Sequence, residues 1–146
     1  MTLPYVDTSA LAKLYVLEAD SDAFEAWFAD AMPVAISLLA RVEMASLLRK
    51  HARTGRLDAA RVAEIEADLE GDVAAGCIVV VDVPAATLHL ARALIANHSV
   101  HGLRTLDALQ LASAIGSSAR TFVTADDKLA GAARACGLQV VGFGGA

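Results

Sequence analysis

Four acidic side chains, Asp7, Glu43, Asp107 and Asp126, are the residues of this sequence best suited to chemistry. Clustered carboxylates repel one another, and their pKa values rise unless a cation neutralises them. Oxygen donors with few histidines nearby suit Mg2+ or Mn2+. Such an ion lowers the pKa of an attacking water and stabilises a leaving oxygen. Gathered in one place, the acids therefore point to hydrolysis of a phosphodiester or phosphomonoester. Taken singly, each has a plainer role. Asp7 and Asp126 stand where helix caps stand. Glu43 reads as an exposed helix residue, and Asp107 complements a helix N-terminus. Their coincidence carries the weight. Asp82 and Asp127 are rivals of the same chemical type. His51, His89, His98 and His101 lack the two-ligand helical spacing that suits zinc, and Cys77 and Cys136 read as isolated, buried small hydrophobes.

The elements that must position these acids follow from the apolar pattern. Leu3 to Val6 is a short apolar run ended by Asp7-Thr8-Ser9, after which Ala10 to Tyr15 continues as a helix. A second amphipathic helix starts at Asp20 or Ser21 and ends at Pro33, with Phe24, Trp27 and Phe28 on one side. Val34 to Ser37 reads as a strand, Leu38 to Arg53 as a helix closed by Thr54-Gly55, and a fourth helix runs from Asp58. Cys77 to Val83 is the most strand-like stretch. Pro84 opens a helix ending near Asn97. His98 and His101 fall in the loop before a helix over Thr105 to Ile115. A strand at Thr121 to Val123, a helix over Ala125 to Ala135 and a strand at Leu138 to Val141 complete the chain. Strands alternating with helices mean an α/β fold, a parallel sheet with helices on both faces.

Ligands of such sheets bind beyond the carboxyl ends of the strands. Asp7 directly follows the first strand, Asp126 follows the strand ending at Val123, and Glu43 lies in the second turn of the helix leaving Ser37. Topology also places Asp82 at this edge. Connectivity does not say which end of the sheet Asp107 faces. Its neighbours Leu106, Ala108, Leu109, Leu111, Ala112 and Ala114 are apolar, so it is half buried and needs a partner.

A length of 146 residues fits one domain spanning 1–146. Hydrophobic residues make up 56% and mean hydropathy is +0.51, enough to fill a buried sheet and leave a self-association surface or an apolar groove. No apolar run approaches the ~18 residues of a membrane span. The start of the chain lacks a signal-peptide pattern, so a cytoplasmic location is expected. A net charge of −5 argues against a nucleic-acid partner. Against that, Arg41, Arg49, Lys50, Arg53, Arg56 and Arg61 crowd one stretch, either a solvated helix face or a phosphate-binding patch.

In four stretches the sequence resembles PIN-domain ribonucleases, specifically the VapC-type toxins of bacterial toxin–antitoxin pairs. They are Tyr5-Val6-Asp7-Thr8-Ser9-Ala10-Leu11-Ala12-Lys13-Leu14-Tyr15, Arg41-Val42-Glu43-Met44-Ala45-Ser46-Leu47-Leu48-Arg49, Leu103-Arg104-Thr105-Leu106-Asp107-Ala108-Leu109-Gln110-Leu111-Ala112 and Phe122-Val123-Thr124-Ala125-Asp126-Asp127-Lys128-Leu129-Ala130. The resemblance implies a three-layer α/β/α fold with five parallel strands in order 3-2-1-4-5, and Asp107 at the same edge as the other acids. It implies that Asp7, Glu43, Asp107 and Asp126 hold one or two Mg2+ or Mn2+ ions, and that an activated water cleaves RNA to a 5′-phosphate and a 3′-hydroxyl. Ser9 is then expected to contact a metal-bound water or a phosphate, with helix capping as its plainer role. Thr124 is expected to orient Asp126, which stands two places after it and is preferred to Asp127 for that reason. Arg41, Arg49, Lys50 and Arg53 become candidate RNA contacts. The resemblance also implies a homodimer and a VapB-type antitoxin that pushes a basic side chain into the acidic site. Trp27 and Phe28 could line the antitoxin's groove, although core packing is the preferred reading for both. A PIN-like RNA-processing nuclease that is not a toxin and a non-catalytic interaction domain are the alternatives.

Overall fold

Side chains alternate between the faces of a strand, and the short strands of this chain are apolar on both. In the computed structural model, which describes residues 2–144, Val6, Val34, Ile36, Ile78 and Val123 point to one core, while Tyr5, Ala35 and Phe122 point to another. The sheet between these cores is therefore buried on both sides and needs helices on each. The elements are β1 (Tyr5–Val6), α1 (Thr8–Tyr15), α2 (Ser21–Ala31), β2 (Val34–Ser37), α3 (Leu38–Arg53), α4 (Ala59–Ala74), β3 (Ile78–Val81), α5 (Ala85–Asn97), α6 (Thr105–Gly116), β4 (Thr121–Thr124), α7 (Asp127–Ala135) and β5 (Gln139–Gly142). All strand pairs are parallel, in the order β3-β2-β1-β4-β5, as the resemblance implied.

Helices α1 to α4 cover the first core. The buried Ala40, Met44 and Leu48 of α3 recur every four residues, and Val62, Ile65 and Leu69 of α4 form the matching stripe. Phe28 is buried in this core; Trp27 packs on it beside Phe24 and Phe143. Helices α5, α6 and α7 cover the second core. Small residues in α6, Ala108, Ala112 and Ala114, are fully buried, which lets neighbouring backbones approach closely. Tyr5 stacks on Phe122 across the β1–β4 pair, with ring centroids 5.7 Å apart.

Several boundaries differ from the sequence reading. The third strand stops at Val81 and forms one edge of the sheet, so Val79 is exposed rather than buried. Helix α7 starts at Asp127, because Asp126 is spent as its cap. A single turn of 3-10 helix, Ser99–His101, interrupts the expected loop. Cys77 and Cys136 are only partly buried, on the margins of the two cores.

Candidate active site

The chain builds the sheet outward from β1 through β2 to β3, then returns to place β4 on the other side of β1. Adjacent strands whose connections leave in opposite directions open a crevice at their carboxyl ends, the usual ligand site of such sheets. Asp7 and Thr124 end the two strands flanking that crevice. The Asp7 backbone N–H still donates to the Val123 carbonyl at 3.0 Å, so Asp7 is the last rung of the ladder.

Asp7 is the N-cap of α1 and is 2% exposed. One carboxylate oxygen accepts from the Ala10 N–H at 3.0 Å and the Ser9 hydroxyl at 2.7 Å; the other accepts from the Thr124 hydroxyl at 2.6 Å. Three donors hold it, yet burial outweighs them and, with repulsion from Asp126, raises its pKa from 3.8 to about 6. Capping and a place at the crevice, which the sequence presents as alternatives, coexist in this one side chain.

Asp126 caps α7, accepting from the Lys128 and Leu129 N–H groups, and its own N–H donates to the Thr124 hydroxyl oxygen at 3.0 Å. Thr124 therefore ties the buried carboxylate of Asp7 to the backbone of Asp126. Ser9 accepts from the Ala125 N–H while donating to Asp7, closing the same loop from the other side. Asp107 stands in the first turn of α6, half buried. Burial raises its pKa, the Arg104 N–H that donates to it opposes this, and repulsion from Asp126 adds to the rise. The charge of Asp126 thus reaches both Asp7 and Asp107 across the crevice. Glu43 joins through a bridge: the Gln110 side-chain N–H group donates to it at 2.6 Å and to the Thr8 hydroxyl at 3.1 Å.

The rivals lie elsewhere. Asp127 is exposed and its carboxylate lies over Gly144. Asp82 is exposed and lines a separate cleft with Pro84, Thr87 and Ser113. The His98 ring faces the Cys136 thiol and neighbours His101, at the 3-10 turn. The basic stretch divides. Arg41 forms an ion pair with Glu70, and Arg49 with Glu66 at 3.1 Å, both acids on α4. Arg53 is exposed near the end of α3. Lys50 lines a cleft of about 660 Å3 with Thr8, Ser9, Lys13, Glu43 and Leu106, running from the acids between α1 and α3.

The donor set is one of hard oxygens, which suits a divalent cation of the Mg2+ type. Among the described residues no three His, Cys, Asp or Glu side chains close on one point tightly enough to chelate an ion unaided. That fits an ion that uses one or two carboxylates and keeps several waters. Gln110, Tyr5 and Thr8 were not singled out in the sequence. Gln110 carried a signal: a lone polar side chain in the run Leu109-Gln110-Leu111, three residues after Asp107 and so on the same helix face.

The family model of the PIN domain matches residues 5–135. The chain is 33% identical to Ribonuclease VapC46 of Mycobacterium tuberculosis over 143 residues, 97% of this chain and 98% of that protein. Its fold is similar to that of VapC20 from Mycobacterium tuberculosis, a sarcin–ricin-loop-cleaving toxin, with a TM-score of 0.67, 18% identity, and 88% of this chain and 93% of that chain covered. It is also similar to VapBC2 from Rickettsia felis bound to a promoter DNA fragment, with a TM-score of 0.67, 16% identity, and 97% and 99% covered. No described helix is long and apolar enough to cross a membrane.

Proposed function

Because the chain belongs to the PIN-domain family, and within it to the VapC group, we propose that it is a divalent-metal-dependent endoribonuclease and the toxin of a VapBC-type pair. What carries this reading is the set of carboxylates Asp7, Asp107 and Asp126 at the crevice between β1 and β4, where Asp126 repels the other two and Asp7 is buried despite its charge. Buried like charges persist where a cation completes them. Asp7, Glu43, Asp107 and Asp126 would hold Mg2+ or Mn2+, one or two of them directly and the others through its waters, and the ion would supply an acidified water and offset charge on the phosphate and leaving oxygen. The chain's own groups prepare the rest. Ser9 and Thr124 fix Asp7 in one orientation. Glu43, held by Gln110, takes the proton of the attacking water. Lys50, in the cleft leading from the acids, meets the RNA backbone. The homodimer, the VapB-type antitoxin and the cytoplasmic location belong to the same reading, the antitoxin being supported by the likeness to a VapBC complex.

The test is incubation of the purified protein with single-stranded and structured RNA, followed by sequencing of the ends. Cleavage to 5′-phosphate ends with Mg2+ or Mn2+, stopped by chelator and abolished in Asp7→Asn and Asp107→Asn, is the expected outcome. Growth arrest on expression should be lost in the same variants. Undiminished cleavage or toxicity in both would show that the chemistry lies elsewhere.

A further inference from the structure

Gln110 is 3% exposed and sits between two halves of the site that share no element. Its side chain makes three hydrogen bonds. The carbonyl oxygen accepts from the Tyr5 hydroxyl at 2.5 Å, and the N–H group donates to Glu43 at 2.6 Å and to Thr8 at 3.1 Å. These partners come from β1, α3 and the start of α1. The amide cannot be turned over. Reversed, its oxygen would face the Glu43 carboxylate, acceptor against acceptor. Tyr5 is itself fixed by its stack on Phe122. A chain of fixed groups therefore runs from the β1–β4 pair through Tyr5 and Gln110 to Glu43. By contrast, Glu43 stands on a helix surface as a long, flexible side chain, with Gln110 as its one hydrogen-bond partner among the described residues.

We propose that Gln110 is a positioning residue for the nuclease, acting through Glu43: it holds that carboxylate toward the aspartate cluster and is itself oriented by the Tyr5 hydroxyl. This rests on the nuclease reading above. Removing a group that orients a ligand or base lowers activity by roughly 10-fold to 100-fold. The loss falls on kcat, because RNA affinity is set by other contacts.

The experiment is a double-mutant cycle on RNA cleavage at saturating Mg2+, using Gln110→Leu, Glu43→Gln and the pair. The expected result is a fall in kcat of about 10-fold or more for Gln110→Leu, with KM within about 2-fold, and no further fall when it is added to Glu43→Gln. A role confined to packing gives the same loss in both backgrounds, and that result, or an unchanged kcat, overturns the proposal. Should Gln110→Leu fail to fold, as judged by circular dichroism, Tyr5→Phe decides. It removes one hydroxyl, keeps the stack on Phe122, and should lower kcat about 3-fold only where Glu43 is present. An equal effect in both backgrounds, or none, overturns the proposal as well. Undiminished cleavage by Asp7→Asn would instead sink the parent reading, so the two failures are separable.

Discussion

Replacing Asp7 by asparagine should stabilise the metal-free protein at neutral pH while destroying its activity. An ordinary Asp ionises at 3.8, whereas Asp7 in the fold ionises at about 6. At about 1.4 kcal/mol per factor of ten, holding the ionised form costs the folded state about 3 kcal/mol. The sign follows from proton counting. Between pH 3.8 and about 6 the folded chain binds more protons than the unfolded one, so stability falls as pH rises through that window and the full loss is present above it. The Asp7→Asn substitution removes this loss. The amide keeps an oxygen to accept from Ala10 and Ser9 but takes away the acceptor of the Thr124 hydroxyl, at a cost of about 1 kcal/mol. The variant should therefore be about 2 kcal/mol more stable than the parent above about pH 7, and about 1 kcal/mol less stable near pH 3. Urea unfolding followed by circular dichroism in chelator, across that range, reads both limbs. Adding Mg2+ above neutral pH should then stabilise the parent and not the variant. A stability difference that does not change with pH would refute the reasoning, because it would mean that Asp7 is ionised in the fold at no cost.

Thr124→Val removes both the donor to Asp7 and the acceptor of the Asp126 N–H; it should lose about 1–3 kcal/mol in urea unfolding, and kcat should fall with it. Leu48→Ala, in the fully buried stripe of α3, should destabilise by about 2–5 kcal/mol in calorimetry without altering Mg2+ dependence. RNA binding followed by fluorescence anisotropy across salt concentrations separates the basic residues. Lys50→Ala should lower the slope of log affinity against log salt by about 0.7, while Arg41→Ala, engaged by Glu70, should leave it unchanged. Equal changes would remove the distinction.

How much of this was legible depended on how far each residue's place is set by its own strand. Asp7 and Asp126 follow their strands within two residues, so a parallel sheet alone assigns them to one edge. Asp107 could not be assigned in that way. Its position depends on how α5 and α6 pack beneath the sheet, and nothing local in Leu103 to Ala112 states that. The sequence leaves the basic stretch open between a solvated helix face and a phosphate-binding patch because its counter-charges lie on the next helix. Glu66 and Glu70 reach Arg49 and Arg41 only once α3 and α4 lie side by side. Gln110 is a lone polar residue among leucine and alanine, and its three partners, on β1, α1 and α3, become visible only with the sheet assembled.

The bond from Thr124 to Asp7 spans 117 residues of chain. β1 emerges first during synthesis and waits in the middle of the sheet, with β2 arriving on one side and β4 much later on the other. Asp7, Glu43 and Asp107 all precede the strand that completes their crevice. Without that strand Asp7 lacks the Thr124 hydroxyl, one of its three donors, and Asp126 has no place at the crevice. A chain interrupted before Thr121 carries most of the acids and none of the crevice, so the cluster exists only in a copy that has both strands.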